Sequence, residues 1–295
     1  MKCIPCEKGE RRRLDGLNMV IVGAAGGIGA AISRCAAAEG ASLFLLDKNA
    51  AGLESLTRAL SQTQKLSQSQ PLSEAGATGS AGQPGKRAGK AGPLLAFRQV
   101  DITDENQVRE AAAAAADHFA GRVDVLVNTA GISGRPLGDG PVHVVPAATW
   151  AEVLAVNLTG VYYTCKHFVP LLMNSPAASI INIASDDALI GPRPPHDTHA
   201  YIASKGGVIA LTRAMAVSYA PRIRVNAVAP GWVATPMTGD LRQDPEAWQE
   251  VVQRHPLGKV GHPEDVAWAV IYLASRESAF VTGIVLPVEG GATAW

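Results

Sequence analysis

Short apolar runs separated by longer stretches of helical spacing make up most of this chain. Runs with the length and β-branched content of buried strands fall near 17–22, 42–46, 95–100, 123–127, 179–183, 223–227 and 284–288. Between them lie helical stretches, the longest at about 148–173 and 200–220. Strands that are apolar on both faces and connected through helices pair in parallel. The alternation therefore predicts an α/β fold: one doubly wound, Rossmann-type domain with a parallel seven-stranded sheet flanked by helices. A chain of 295 residues is ample for it, and the domain is expected to cover 14–295.

Two segments break the pattern. From about Ser61 to Pro93 the chain is dominated by Ser, Gln, Gly, Ala and Pro, with Lys86, Arg87 and Lys90 and almost no large apolar residue. Such a composition buries too little surface to offset the entropy of ordering. It falls where the second helix should return to the third strand, so it reads as a low-complexity loop insertion. Closure entropy grows only logarithmically with loop length, and the fold tolerates it. Residues 1–13 form a basic leader, too charged for a signal-peptide core.

Charge and cysteine usage narrow the function. Lys and Arg number 26 against 26 Asp and Glu, so nothing favours nucleic acid or an anionic membrane. No apolar run is long enough to span a bilayer. Cys3 and Cys6 are three apart, but no second Cys/His pair accompanies them, and no metal is expected. Cys35 and Cys165 sit in apolar helical contexts and read as core thiols. The expectation is a cytoplasmic protein acting on a small molecule.

The first strand feeds into Gly23-Ala24-Ala25-Gly26-Gly27-Ile28-Gly29 and then an alanine-rich helix. Residues without Cβ let the backbone approach a pyrophosphate, and a helix N-terminus presents free N–H groups and a positive dipole end. A tight turn without a ligand is the plain alternative. The second strand ends at Asp47, twenty-four residues after Gly23. A carboxylate there accepts hydrogen bonds from an adenosine ribose and repels a 2′-phosphate, which favours NAD over NADP. Lys48 works against that preference.

Further along, Tyr201 and Lys205 lie four apart in a helical stretch and project from one face. An ammonium near a phenol favours the phenolate, which suits the tyrosine to exchanging a proton with an alcohol or ketone.

With glycine turn, acid and Tyr/Lys pair together, the chain resembles the short-chain dehydrogenase/reductase family, from Leu14 to Gly291. Asn128-Thr129-Ala130-Gly131 looks like the family's Asn-Asn-Ala-Gly element, with Thr129 as the departure. Val22 replaces the usual Thr or Ser before the first glycine. Asp101 matches the acid facing the adenine, Asn157 the helix asparagine of the catalytic tetrad, and Ser185 the catalytic serine. Pro230-Gly231 with Thr235 looks like the loop on the nicotinamide side. The resemblance implies catalytic roles for Asn157, Ser185, Tyr201 and Lys205. It implies cofactor contacts at Gly23, Gly27, Ile28, Gly29, Asp47, Asp101, Ile102, Asn128, Ala130, Gly131, Tyr201, Lys205, Pro230, Gly231, Val233 and Thr235. Singly, Asn157 and Asn128 have structural readings as satisfied buried amides, and Ser185 as a turn former.

The expected activity is NAD-dependent interconversion of a secondary alcohol and a ketone on a small polar substrate, a sugar, polyol or hydroxy acid. The alternatives are an NADPH-linked reductase of a 3-ketoacyl or aromatic ketone and a cofactor-sensing relative without turnover. The segment Gly191 to His199 links Ser185 to Tyr201 and must arch over the reacting centre, making Arg193, His196 and His199 candidate substrate contacts. The family's pairing of the two long helices, and apolar Val208, Ile209, Leu211 and Met215 here, point to a homodimer or homotetramer.

Overall fold

The computed structural model describes residues 12–64, 67–68, 93–191, 197–239 and 241–294. In chain order the elements are β1 (Asn18–Val22), α1 (Gly27–Ala38), β2 (Ser42–Asp47), α2 (Ala50–Gln64), β3 (Ser67–Gln68), β4 (Leu94–Gln99), α3 (Glu105–His118) and β5 (Val125–Asn128). They continue with α4 (Ala147–Leu154), α5 (Gly160–Leu172), β6 (Ala178–Ile183), α6 (Asp187–Ile190), α7 (His199–Tyr219), β7 (Ile223–Pro230), α8 (Pro245–Gln253), α9 (Pro263–Ala274) and β8 (Val285–Val288). The strands form one sheet in the order β3-β4-β2-β1-β5-β6-β7-β8, parallel throughout.

Successive strands step outward from β1 in one direction through β2 and β4, then in the other from β5 to β8. At that reversal the connections leave to opposite faces, and a crevice opens beyond the carboxyl ends of β1 and β5. Alternation within β1 divides the core. Met19 and Ile21 pack into the layer of α1, α2 and α9, while Val20 and Val22 pack into that of α3, α5 and α7. Burial on both faces is why these strands read as unbroken apolar runs. Phe168 of α5 is fully buried in the second layer, where truncation to alanine would cost about 3–5 kcal/mol.

The structure departs from expectation at three places. Helix α2 runs past Ser61 to Gln64, because Leu56 and Leu60 bury its apolar face and the Ser61 hydroxyl donates back to Thr57 O at 2.9 Å. The two-residue β3 then pairs with Leu94 and Leu95. This eighth strand consists of two polar residues, so no apolar run announces it. Residues 69–92, the body of the expected insertion, lie outside the described residues, as do Cys3 and Cys6. At the other end of the leader, Arg13 is held by the body: its guanidinium meets Glu277 at 2.8 and 2.5 Å.

The third departure is in the helix expected over 148–173. A π turn at Ala155–Thr159 divides it into α4 and α5. The wider turn carries Asn157 at its centre, a placement typical of functional sites. Among the described residues no helix is long and apolar enough to cross a membrane.

Candidate active site

The turn after β1 is built by close backbone approaches. Gly23 has φ +81°, and a Cβ there would lie 2.5 Å from Ala130 N. A Cβ on Gly29 would run into Gly23 O, and one on Gly27 would meet Thr235 Cγ2 at 2.8 Å. All three positions therefore require glycine. Gly26 at the N-cap of α1 brings no side chain to the first-turn N–H groups, which leaves that end open to an anion. Thr129, the departure from the family element, donates its hydroxyl to Val22 O at 2.9 Å and Gly23 O at 3.1 Å. It ties the β5 end to the glycine turn.

Asp47 ends β2 beside this turn. One carboxylate oxygen accepts from Ala25 N and the other from Asn49 N, both at 2.9 Å. Lys48 is exposed. Asp101 is exposed after β4 and accepts from the amide and hydroxyl of Thr103 at 2.9 and 2.7 Å. Ile102 is buried against Gly160, where a Cβ would lie 2.5 Å from Ile102 Cδ1.

Asn128 and Asn157 are both buried amides, spent differently. Asn128 donates to Asn182 Oδ1 at 2.9 Å and accepts from Thr164 Oγ1 at 2.8 Å, so its side chain braces β5 against β6 and α5. Asn157 clasps the backbone of Ile132, accepting from its N–H at 2.8 Å and donating to its carbonyl at 2.9 Å. Gly131 lies between Asn157 and Lys205: a Cβ there would be 3.2 Å from Asn157 Oδ1 and 3.4 Å from Lys205 Nζ.

One cavity brings together Ser185 beyond β6, Tyr201 and Lys205 on α7, and Gly231, Val233 and Thr235 beyond β7. Lys205 Nζ donates to Ile183 O at 2.8 Å and lies 5.7 Å from the centre of the Tyr201 ring. Burial lowers the lysine pKa to about 8. Burial also pushes the Tyr201 phenol up; the Asp187 carboxylate adds to this, and a hydrogen bond with Ser185 opposes it. The expected lowering of the tyrosine pKa by Lys205 is thus reversed in the chain alone. The arrangement sets a phenol beside an amine held by a carbonyl.

The loop opposite holds α7 from its N-terminus. No side chain of Thr198 caps the helix; instead both oxygens of Asp139 accept from Ala200 N at 3.0 Å and Tyr201 N at 2.9 Å. His199 Nδ1 accepts from Val142 N at 2.9 Å, and His199 N donates to Gly140 O at 3.3 Å. His199 is thereby committed to joining that loop to α7. Arg193 and His196 lie outside the described residues.

Sequence reasoning passed over Asp139, and also Asp186, Asp187, Arg135 and Trp232, which line the cavity. Burial raises the Asp186 pKa to about 7, with the neighbouring Asp187 carboxylate as the next cause. Asp187 is raised too, by burial, against the pull of Arg254 and Arg135. The Arg135 guanidinium stands 5.4 Å over the Trp232 ring and donates to Met237 O at 3.2 Å. The signal available was the Asp-Asp pair following Ser185.

A family model described as enoyl-(acyl carrier protein) reductase matches residues 77–293. Galactitol 2-dehydrogenase (L-tagatose-forming) of Cereibacter sphaeroides is 37% identical over 285 residues, covering 96% of this chain and 97% of that protein. A 3-oxoacyl-(acyl-carrier-protein) reductase of Thermotoga maritima is 36% identical, covering 95% and 98% respectively. Among solved structures, levodione reductase superposes with a TM-score of 0.80 at 30% identity, covering 96% of this chain and 99% of that one.

Proposed function

The chain belongs to the short-chain dehydrogenase/reductase family and is an oxidoreductase acting on CH–OH groups; from that premise we propose that it interconverts a secondary alcohol and a ketone with NAD, on a small polar substrate. The observation that carries this reading is the meeting of Ser185, Tyr201 and Lys205 in one cavity beyond the strand ends, beside the loop that packs on the glycine turn.

The cradle fits a dinucleotide. Gly23, Gly27 and Gly29 let the turn close tightly ahead of the uncapped N-terminus of α1, which would hold a pyrophosphate, and Asp47 would accept from the adenosine ribose hydroxyls. Gly131, Lys205 and Thr235 would flank the nicotinamide side. The cofactor carries the hydride; the protein orients the reactants. Tyr201 donates a proton to a ketone oxygen or takes one from an alcohol. Ser185 donates a hydrogen bond to the oxygen on which charge develops. Lys205 is assigned the nicotinamide ribose, and Asn157 the water that links Lys205 to solvent.

A second reading, NADPH-linked reduction of a 3-ketoacyl or aromatic ketone, draws on the likeness to the acyl-carrier-protein reductase and on exposed Lys48 beside Asp47. Rates with polyols, sugars, hydroxy acids and ketoacyl thioesters, followed at the nicotinamide absorbance with both cofactors, separate the two. Faster reduction of ketoacyl thioesters by NADPH than any NAD-linked oxidation would overturn the first.

The reading includes a cytoplasmic setting and a homodimer or homotetramer. The apolar residues that first suggested a second contact serve the monomer instead: Val208, Ile209 and Met215 are buried in its own core. Support for self-association comes from Val217 and Phe280, which are 81% and 104% exposed. Light scattering at micromolar concentration tests it, and a monomer refutes it.

A further inference from the structure

The cavity contains a carboxylate that the proton-transfer scheme leaves without a task. Asp187 follows Ser185 by two residues and lines the same cavity as Tyr201. Its backbone N–H is used locally, donating to Ser185 Oγ at 3.3 Å and Asp186 Oδ1 at 2.9 Å, which fixes the residue at the head of α6. Its carboxylate accepts no hydrogen bond among the described residues and feels the phenol of Tyr201 through space. Arg135 also lines the cavity, its guanidinium held by the Trp232 ring and Met237 O, and its charge acts on Asp187.

A partly desolvated carboxylate without a hydrogen-bond partner favours a ligand that donates to it. It follows Ser185 by two residues and lines the cavity that holds Ser185 and Tyr201, so the ligand's donor belongs close to the carbinol. We propose that Asp187 is the specificity-determining residue of this site: its carboxylate accepts from the hydroxyl adjacent to the reacting carbinol, and the substrate is a neutral vicinal diol or polyol. This rests on the alcohol–ketone reading above and selects within it. An acid function at that carbon would set its negative charge against the Asp187 carboxylate, and Arg254 and Arg135, which already pull on Asp187, would offset part of that. A hydroxyl donates, so a diol satisfies the Asp187 carboxylate, and a plain alkanol leaves it unmet.

The test uses four small alcohols that carry different groups beside the carbinol: meso-butane-2,3-diol, 2-hydroxybutyrate, 1-amino-2-propanol and butan-2-ol, oxidised by the full chain with NAD and with NADP. The wild type should favour the diol over the hydroxy acid by about 100-fold or more in kcat/KM, and over butan-2-ol by at least about tenfold. Asp187→Asn keeps an acceptor but removes the charge, so the ratio of diol to acid should fall by about tenfold or more. Asp187→Leu should abolish the preference for diol over butan-2-ol. Acid turnover within tenfold of the diol, a ratio unmoved in Asp187→Asn, or preference for the amino alcohol would each overturn the proposal. Absence of turnover with every alcohol and both cofactors, in a protein that binds NADH, sinks the catalytic reading by itself. The specificity proposal is then decided on the NADH complex by thermal shift. A shift with the diol and none with the hydroxy acid supports it, and any other pattern overturns it.

Discussion

Asp139 holds the backbone amide of Tyr201, accepting from it at 2.9 Å, while its other oxygen takes the amide of Ala200 at 3.0 Å. The phenol-bearing helix is thus capped by a carboxylate from the loop after β5. Two N–H groups that an α-helix leaves unpaired are satisfied, and a negative charge sits at the positive dipole end.

Asp139→Ala should therefore cost about 1–2 kcal/mol of stability, in the range of a lost N-cap. It should lower kcat by more than it raises the KM for the cofactor, because the Tyr201 backbone loses its anchor. Asp139→Asn, which keeps one acceptor, should recover part of both. Thermal melts and steady-state kinetics check this; unchanged kcat in Asp139→Ala would show that the rest of α7 positions Tyr201 without help.

The proton relay makes a sharper set of expectations. Tyr201→Phe keeps the ring and removes the exchangeable proton, so kcat should fall by on the order of 10² or more with cofactor affinity nearly intact. Ser185→Ala should act mainly on kcat, having lost a bond that strengthens as charge develops. Lys205→Ala should also weaken cofactor binding. Fluorescence titration with NADH and turnover of one identified substrate distinguish the three. Wild-type turnover by Tyr201→Phe would end the assignment.

The sequence disclosed the fold because strands buried on both faces leave continuous apolar runs, and the glycine turn because Gly23 and Gly29 have no room for a side chain. It did not disclose β3, two polar residues without an apolar run, nor the π turn around Asn157, whose residues read as ordinary helix. Asp139 was hidden for another reason. A cap supplied across 61 residues of chain leaves no local signature. The direction of the Tyr201 pKa was not legible, because spacing shows which charge is near but not how much water has been removed, and burial is the leading cause here. Asn128 was legible as a polar residue at a strand end, yet its side chain serves the β5–β6 brace, so whatever it offers a cofactor comes from its backbone.

Cofactor choice turns on Asp47, whose carboxylate already leans on the glycine turn through Ala25 N. NAD should bind at least about tenfold more tightly than NADP, about 1.4 kcal/mol. Asp47→Ala should narrow that gap by removing repulsion of the 2′-phosphate, and it should loosen the turn. Titration of both cofactors against wild type and variant measures it. Equal affinities in the wild type would remove Asp47 as the discriminating group.

Stability of the cofactor-free chain should carry a pH signature from two buried groups of opposite sign. Asp186 is raised from 3.8 to about 7, so the folded state holds more protons than the unfolded one between those values. Its contribution is fully present below about pH 4 and is lost as pH rises through 7. Lys205 is lowered from 10.5 to about 8, so the unfolded state holds more protons in that interval, and stability recovers as pH rises through it. Together they place a minimum between pH 7 and 8, and above about pH 9 the buried Cys165 thiol, raised from 9.0 to about 12, works against the recovery. Asp186→Asn preserves the acceptor for Asp187 N while removing the charge. It should stabilise the chain by on the order of 1–4 kcal/mol at pH 8 and by little at pH 4. Lys205→Met should flatten the rise above pH 8 and leave the acid limb in place. Denaturant melts of the three proteins across pH 4–10 separate the limbs. If Asp186→Asn follows the wild-type curve throughout, Asp186 is ionised in the folded chain and the acid limb belongs to another group.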